Sequence, residues 1–268
     1  MPELYLFIVV VLFALAISDL VVGVSNDAVN FLNSAIGSRV ASRRTIMIVA
    51  SIGIFMGASF SSGMMEVARK GIFNPEYYVF YDIMALFLAV MLTDIILLDL
   101  FNTFGLPTST TVSIVFELLG AAFMIALIKN MGGQSDIPVG EYINSSGALA
   151  IIMGIFLSVG IAFLIGALVQ YLTRLLLSFN YERKLKWVGT VWSGLAMAAM
   201  IYFLLIKGMK GASFIPDALT DWTYNNTWPL IGLTFVVATV IMFLIHQFLR
   251  VNILKLVVLF GTFSLAMA

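Results

Sequence analysis

Residues Leu4 to Ser34 read LYLFIVVVLFALAISDLVVGVSNDAVNFLNS, and the change of character inside that string decides the class of fold. An α-helix needs about 20 apolar residues to cross a hydrocarbon core about 30 Å thick, and Leu4 to Val24 supplies them. The stretch has no basic leader and is followed by further apolar runs rather than a soluble domain, so it reads as a retained first span and not a signal peptide. The ten residues from Ser25 to Ser34 then bring in Asn26, Asp27, Asn30 and Asn33. On a plain helix, residues three and four apart are neighbours, so these side chains form one polar stripe. Asn and Asp also favour caps over helix interiors, so the same cluster suits a helix that breaks inside the membrane and restarts. Either way, amides and a carboxylate stand at a depth where polar groups are costly and usually functional. The plainer alternative is a polar interfacial loop that caps the second helix.

Composition extends this reading to the whole chain. Of 268 residues, 62% are hydrophobic and 10% charged, against about 25% charged in a soluble domain, so the solvent for most of the surface must be membrane lipid. Formal net charge is zero and no basic run occurs, which argues against nucleic acid as a partner. With no Cys and His246 alone, there is no thiolate chemistry and no Cys or His metal cluster. No catalytic constellation of nucleophile and base is visible either, and no cofactor is expected. Apolar windows recur at Thr45 to Met65, Tyr78 to Phe101, Thr108 to Ile128, Gly147 to Leu172, Trp187 to Ile206, Pro229 to Leu249 and from Leu254 onward, eight in all. None alternates with period two as a barrel strand must, so helices satisfy the backbone. The expected fold is an all-α, polytopic membrane bundle. If each window crosses once, nine basic residues (Arg39, Arg43, Arg44, Arg174, Arg183, Lys184, Lys186, Arg250, Lys255) fall on one side and five (Arg69, Lys70, Lys129, Lys207, Lys210) on the other. The first side is then cytoplasmic and the N-terminus outside.

A second interruption separates two of these windows: Asn102-Thr103-Phe104-Gly105-Leu106-Pro107-Thr108-Ser109-Thr110-Thr111. Gly105 and Pro107 end one helix, and Thr108 or Ser109 can cap the next. The resulting helix N-terminus exposes N–H groups and partial positive charge beside the hydroxyls of Ser109, Thr110 and Thr111, a natural cradle for an oxyanion. Two such interruptions match transporters whose discontinuous helices meet near the bilayer midplane, with dipole ends toward an anion and oxygen ligands around a coupling cation. Asp27 repels a bare anion and neither motif contains Lys or Arg, so sodium or a proton at Asp27 is the simplest compensation.

These residues resemble the inorganic phosphate transporter family, the sodium- or proton-coupled phosphate permeases. Its signature Gly-Ala-Asn-Asp-x-x-Asn is matched by Asn26, Asp27 and Asn30, and its Gly-Ser-Lys/Arg by Gly37-Ser38-Arg39. Its later Pro-x-Ser-Thr-Thr is matched by Pro107, Ser109, Thr110 and Thr111. The resemblance implies symport of inorganic phosphate, with Asn26, Asp27, Asn30, Ser109, Thr110 and Thr111 at the substrate and Asp27 and Asn30 holding a coupling sodium. It further implies a homodimer, while the apolar windows make the chain a multi-pass membrane protein, expected in a bacterial inner membrane. Val24 and Ser25 depart from the Gly-Ala pair, and Val112 stands where many members have His. Glu117 and Asp94, inside apolar windows, are candidates for an ion- or proton-linked role, with Asp19 and Asp99 similarly placed.

Members of that family carry two inverted repeats, each with its own motifs, and this chain has one set. Val258-Leu259-Phe260 echoes Val11-Leu12-Phe13. The expected organisation is therefore a first repeat over 1–172, connecting spans over 173–253 and the start of a second repeat over 254–268, as in a piece of a longer transporter. Competing readings are a carrier of another oxyanion such as sulfate, a membrane enzyme, and a non-transporting membrane scaffold.

Overall fold

The computed structural model describes residues 2–59, 71–133, 135–179, 184–211, 215–249 and 251–267, and helix dominates throughout. Nine α-helices are described: α1 (Pro2–Gly37), α2 (Arg43–Ser59), α3 (Phe80–Phe104), α4 (Thr110–Met131), α5 (Ser145–Leu177), α6 (Thr190–Gly211), α7 (Asp217–Asn225), α8 (Thr227–Leu244) and α9 (Ile253–Met267). Short π-helical turns at Leu185–Gly189 and Ile245–Leu249 adjoin α6 and α8. Six of the apolar windows lie on helices long and apolar enough to span a membrane. The Thr45–Met65 window is helical from Arg43 to Ser59, with 60–65 outside the described residues, and the last window forms the 15-residue α9. Arg69, Lys70, Arg183 and Arg250, four of the residues that set the orientation, also lie outside the described residues.

The expected break at Ser25–Ser34 does not occur. Helix α1 runs unbroken for 36 residues, about 54 Å at 1.5 Å per residue. No Gly or Pro lies between Ser25 and Ile36, so nothing forces the backbone out of the helix. Asn26, moreover, spends its side-chain hydrogen bonds on other segments rather than on its own backbone. The plain-helix reading with one polar stripe is the correct one. The helix ends at Gly37, and Arg39 follows with a left-handed φ of 53°.

The helices divide into two compact units. The first comprises Met1–Val29 and Met64–Gly160, the second Asn30–Gly63 and Ile161–Ala268. In the first, α3 packs on α4 around Leu86, Val90, Val115, Leu118 and Ala122. Tyr78 and Tyr142 close this core at one end, their rings edge to face at 5.3 Å, and the Tyr78 hydroxyl donates to the carbonyl of Ala122 at 3.0 Å. Lys129 pairs with Asp82 at 2.7 Å beside this end, both side chains largely buried. In the second unit, α6 packs on α8 and α9, and α9 packs on α2. The α2–α9 contact depends on Gly53 and Gly57, a small-xxx-small pair of the kind that lets membrane helices approach closely. A Cβ at Gly53 would stand 2.7 Å from the backbone oxygen of Phe263, and one at Gly57 would collide with the backbone of Met267.

Overpacking of a close helix contact costs about 1–3 kcal/mol, so Gly53→Val is expected to lower the thermal unfolding midpoint of the detergent-purified protein. Gly120→Ala, which adds a methyl to open space on α4, is the matched control and is expected to leave the midpoint in place or raise it slightly.

Candidate functional site

The second interruption is a true break, and local chemistry explains it. Gly105 takes a left-handed φ of 67°, a conformation that costs glycine nothing. Its N–H donates to the carbonyl of Asn102 at 3.1 Å while that of Leu106 donates to Phe101 at 2.9 Å, the paired bonds of a Schellman C-terminus. Pro107 follows and cannot continue the helix. Helix α4 then starts with Ser109 as its N-cap, the hydroxyl accepting from the N–H of Val112 at 3.5 Å.

The unbroken α1 meets this turn through Asn26 and Asp27, which belong with it to the first unit. Asn26 is 4% exposed. Its Nδ2 donates to Oδ1 of Asn102 at 2.8 Å and to the carbonyl of Leu106 at 3.3 Å, while its Oδ1 accepts from the N–H of Thr108 at 2.9 Å. Asn102 in turn donates through Nδ2 to the carbonyl of Val22 at 3.1 Å. Four hydrogen bonds therefore tie one turn of α1 to both ends of the break. One residue on, Asp27 accepts through Oδ2 from the Thr110 hydroxyl at 3.3 Å. A carboxylate, a hydroxyl and the N-terminal N–H groups of α4 are thus gathered in one place, with charge and dipole of opposite sign.

Of the residues proposed from sequence, Asn26, Asp27, Ser109 and Thr110 converge. Thr111 lies exposed on the first turn of α4, and Asn30 stands one turn beyond Asp27 on α1, exposed, where the second unit begins. Among the described residues no group of three or more Asp, Glu or His side chains is arranged to hold a metal ion. A sodium at Asp27 would therefore draw its other ligands from amide, hydroxyl and carbonyl oxygens, which suit a hard cation. Asp94 and Glu117 lie elsewhere, in the interior of α3 and α4, with Asp94 2% exposed; Asp99 is exposed. Asn102 was missing from the sequence-derived site. Its signal was an amide in the last turn of an apolar helix just ahead of a Gly-x-Pro break, but no one-dimensional pattern pairs it with a residue 76 positions away.

The description of a phosphate transporter family matches residues 23–244 of this chain. The chain belongs to that family. It is 26% identical over 226 residues to a protein named as a candidate phosphate permease in Pyrococcus furiosus, covering 81% of this chain and 50% of the relative. A similarly named protein of Thermococcus kodakarensis is 27% identical over 199 residues, covering 70% and 45%. In fold the chain resembles a sodium-dependent phosphate transporter, with a TM-score of 0.67 and 19% identity over 92% of this chain and 60% of the other. It spans about half the length of the family relatives it matches. The family and the six spanning helices make it an integral, multi-pass membrane protein.

Leaving a buried amide's partners unsatisfied costs about 1–3 kcal/mol. Asn102→Ala strands donors and acceptors on Asn26 and Val22, so it is expected to lower the unfolding midpoint. Asn102→Asp keeps one acceptor for Asn26 and is expected to retain part of the loss, as measured by thermal unfolding in detergent.

Proposed function

We propose that this chain takes part in secondary active transport of inorganic phosphate across a membrane, in symport with sodium or protons. The observation that carries the reading is the Asp27 carboxylate set against Thr110 at the N-terminus of α4. Phosphate would be held by the hydroxyls of Ser109, Thr110 and Thr111 and by the first N–H groups of α4. Asp27 and Asn30 would hold the coupling cation, or Asp27 a proton, because a bare carboxylate beside an incoming anion is repulsive in a medium of low dielectric. Binding of anion and cation is then mutually dependent, which is the requirement of symport. Asn26 already uses both amide protons and its oxygen within the chain, so its part in substrate binding is to fix the turn that aims these groups.

The resemblance in motif also supports a homodimer and the division into a first repeat over 1–172, connecting spans and a second repeat beginning near 254, and the reading takes the membrane to be a bacterial inner membrane. Nothing in the arrangement around Asp27 supplies a general acid and base flanking a bound ester, and hydrolysis of phosphate esters by the purified protein should be blank.

The decisive experiment is uptake of labelled phosphate into liposomes containing the protein as its gene encodes it. Loss of a hydrogen bond to a charged group costs about 1.5–3 kcal/mol, which is about tenfold or more in affinity. Ser109→Ala is accordingly expected to weaken phosphate binding by about that factor, and Asp27→Asn to abolish uptake driven by a cation gradient. Arsenate should compete well and sulfate poorly. Wild-type uptake in both variants would overturn the site at Asp27 and Ser109, no uptake by the unsubstituted protein would point to a non-transporting scaffold, and strong competition by sulfate would point to a different oxyanion.

A further inference from the structure

The hydrogen bonds between α1, α3 and α4 set the register of the three helices, and that register has a second polar level. Asp19 precedes Asp27 by eight residues, Asp94 precedes Asn102 by eight, and Glu117 follows Ser109 by eight. Each carboxyl is therefore displaced about 12 Å along its helix from the Asn26–Asp27–Ser109 site. Since α3 and α1 run toward that site and α4 runs away from it, the three displacements have the same sense, and the carboxyls meet. The Asp94 carboxyl faces those of both Asp19 and Glu117. Asp94 is 2% exposed, and its Oδ1, the Oδ1 of Asp19 and both carboxyl oxygens of Glu117 are buried without a hydrogen-bond partner.

No cation on the same elements relieves this cluster. Lys129 is the one basic side chain among the described residues of the first unit. It is 12 residues from Glu117, about 18 Å along α4, and is bound to Asp82 and to the carbonyl of Tyr77. Asp27 lies two turns away on α1, Asp99 is exposed on α3, and the part of α5 within this unit, Ser145–Gly160, has no charged residue. An ionised carboxylate only accepts hydrogen bonds. With Asp94 facing the other two inside a spanning bundle, three carboxylates would repel one another and leave their oxygens unsatisfied, whereas a proton on one supplies the missing donor to its neighbour, as in paired catalytic carboxyls. The unpartnered oxygens lack a donor, and a proton supplies one without calling on any further ligand.

We propose that Asp19, Asp94 and Glu117 form a proton-binding site, with Asp94 at its centre, distinct from the site at Asp27. Uptake of a proton converts one carboxylate to a carboxylic acid whose O–H donates to the adjacent carboxylate, and release reverses this. Proton binding stands on the geometry of the first unit alone; its use in driving phosphate movement rests on the transport reading above.

The test is infrared difference spectroscopy of the protein as its gene encodes it, in liposomes, titrated in pH without phosphate. The expected result is a protonated-carboxyl band at neutral pH that is lost in Asp94→Asn and altered in titration midpoint in Asp19→Asn and Glu117→Gln. Asp99→Asn is expected to leave it unchanged. No such band in the wild-type protein, a band untouched by the three substitutions, or one removed by sodium at fixed pH would each overturn the proposal; the last assigns the site to a metal cation. If Asp94→Asn does not fold, the wild-type titration with Asp19→Asn and Glu117→Gln decides alone. A band that behaves as expected in a protein without phosphate uptake upholds the proton site and overturns the transport reading only.

Discussion

The carboxamide of Asn26 is the interaction on which the rest of the first unit depends. Its two protons and its oxygen reach Asn102, Leu106 and Thr108, which are the last turn of one helix and the two ends of a break. A helix terminus inside a membrane leaves N–H and C=O groups without partners, and in hydrocarbon each would cost several kcal/mol. Here the left-handed Gly105 settles part of that demand locally, and Asn26 settles much of the remainder from another helix. The break is therefore completed by α1, which passes beside it.

The same contact fixes helix register, and register decides which polar groups meet. Once Asn26 is opposite Asn102 and Thr108, Asp27 falls beside Thr110, and Asp19, Asp94 and Glu117 fall together two turns away. Their facing is thus a consequence of one hydrogen-bonded level propagated along rigid helices at a fixed rise. In the second unit, register is set by other means: Gly53 and Gly57 leave no room between α2 and α9 for anything larger than a hydrogen atom, so packing rather than polar pairing holds those helices.

How much of this was legible in the sequence differs from motif to motif. The break at Gly105 and Pro107 and the cap at Ser109 were readable because their causes are local: a residue that tolerates positive φ, a residue without an N–H, and a hydroxyl placed to accept from Val112. The Asn26–Asn33 segment was ambiguous for the opposite reason. Asn and Asp stabilise a cap when they bond their own backbone and tolerate a helix interior when they bond elsewhere, and no local pattern says which. Asn102 went unassigned and the Gly53–Gly57 contact unseen because their partners lie 76 and more than 200 residues away.

The amino-acid sequence by itself determined the solvent, the helical class, the approximate spans and the membership of two motifs in one transport family, since each follows from composition, from the length of apolar runs or from residues adjacent in the chain. Tertiary structure alone decided that α1 is continuous, that Asn26 belongs to the turn rather than to its own backbone, and that three carboxyls from three helices share one level. The physical reason is that a buried polar side chain must find a partner, and which partner it finds is set by the register of neighbouring helices, a quantity no single helix encodes.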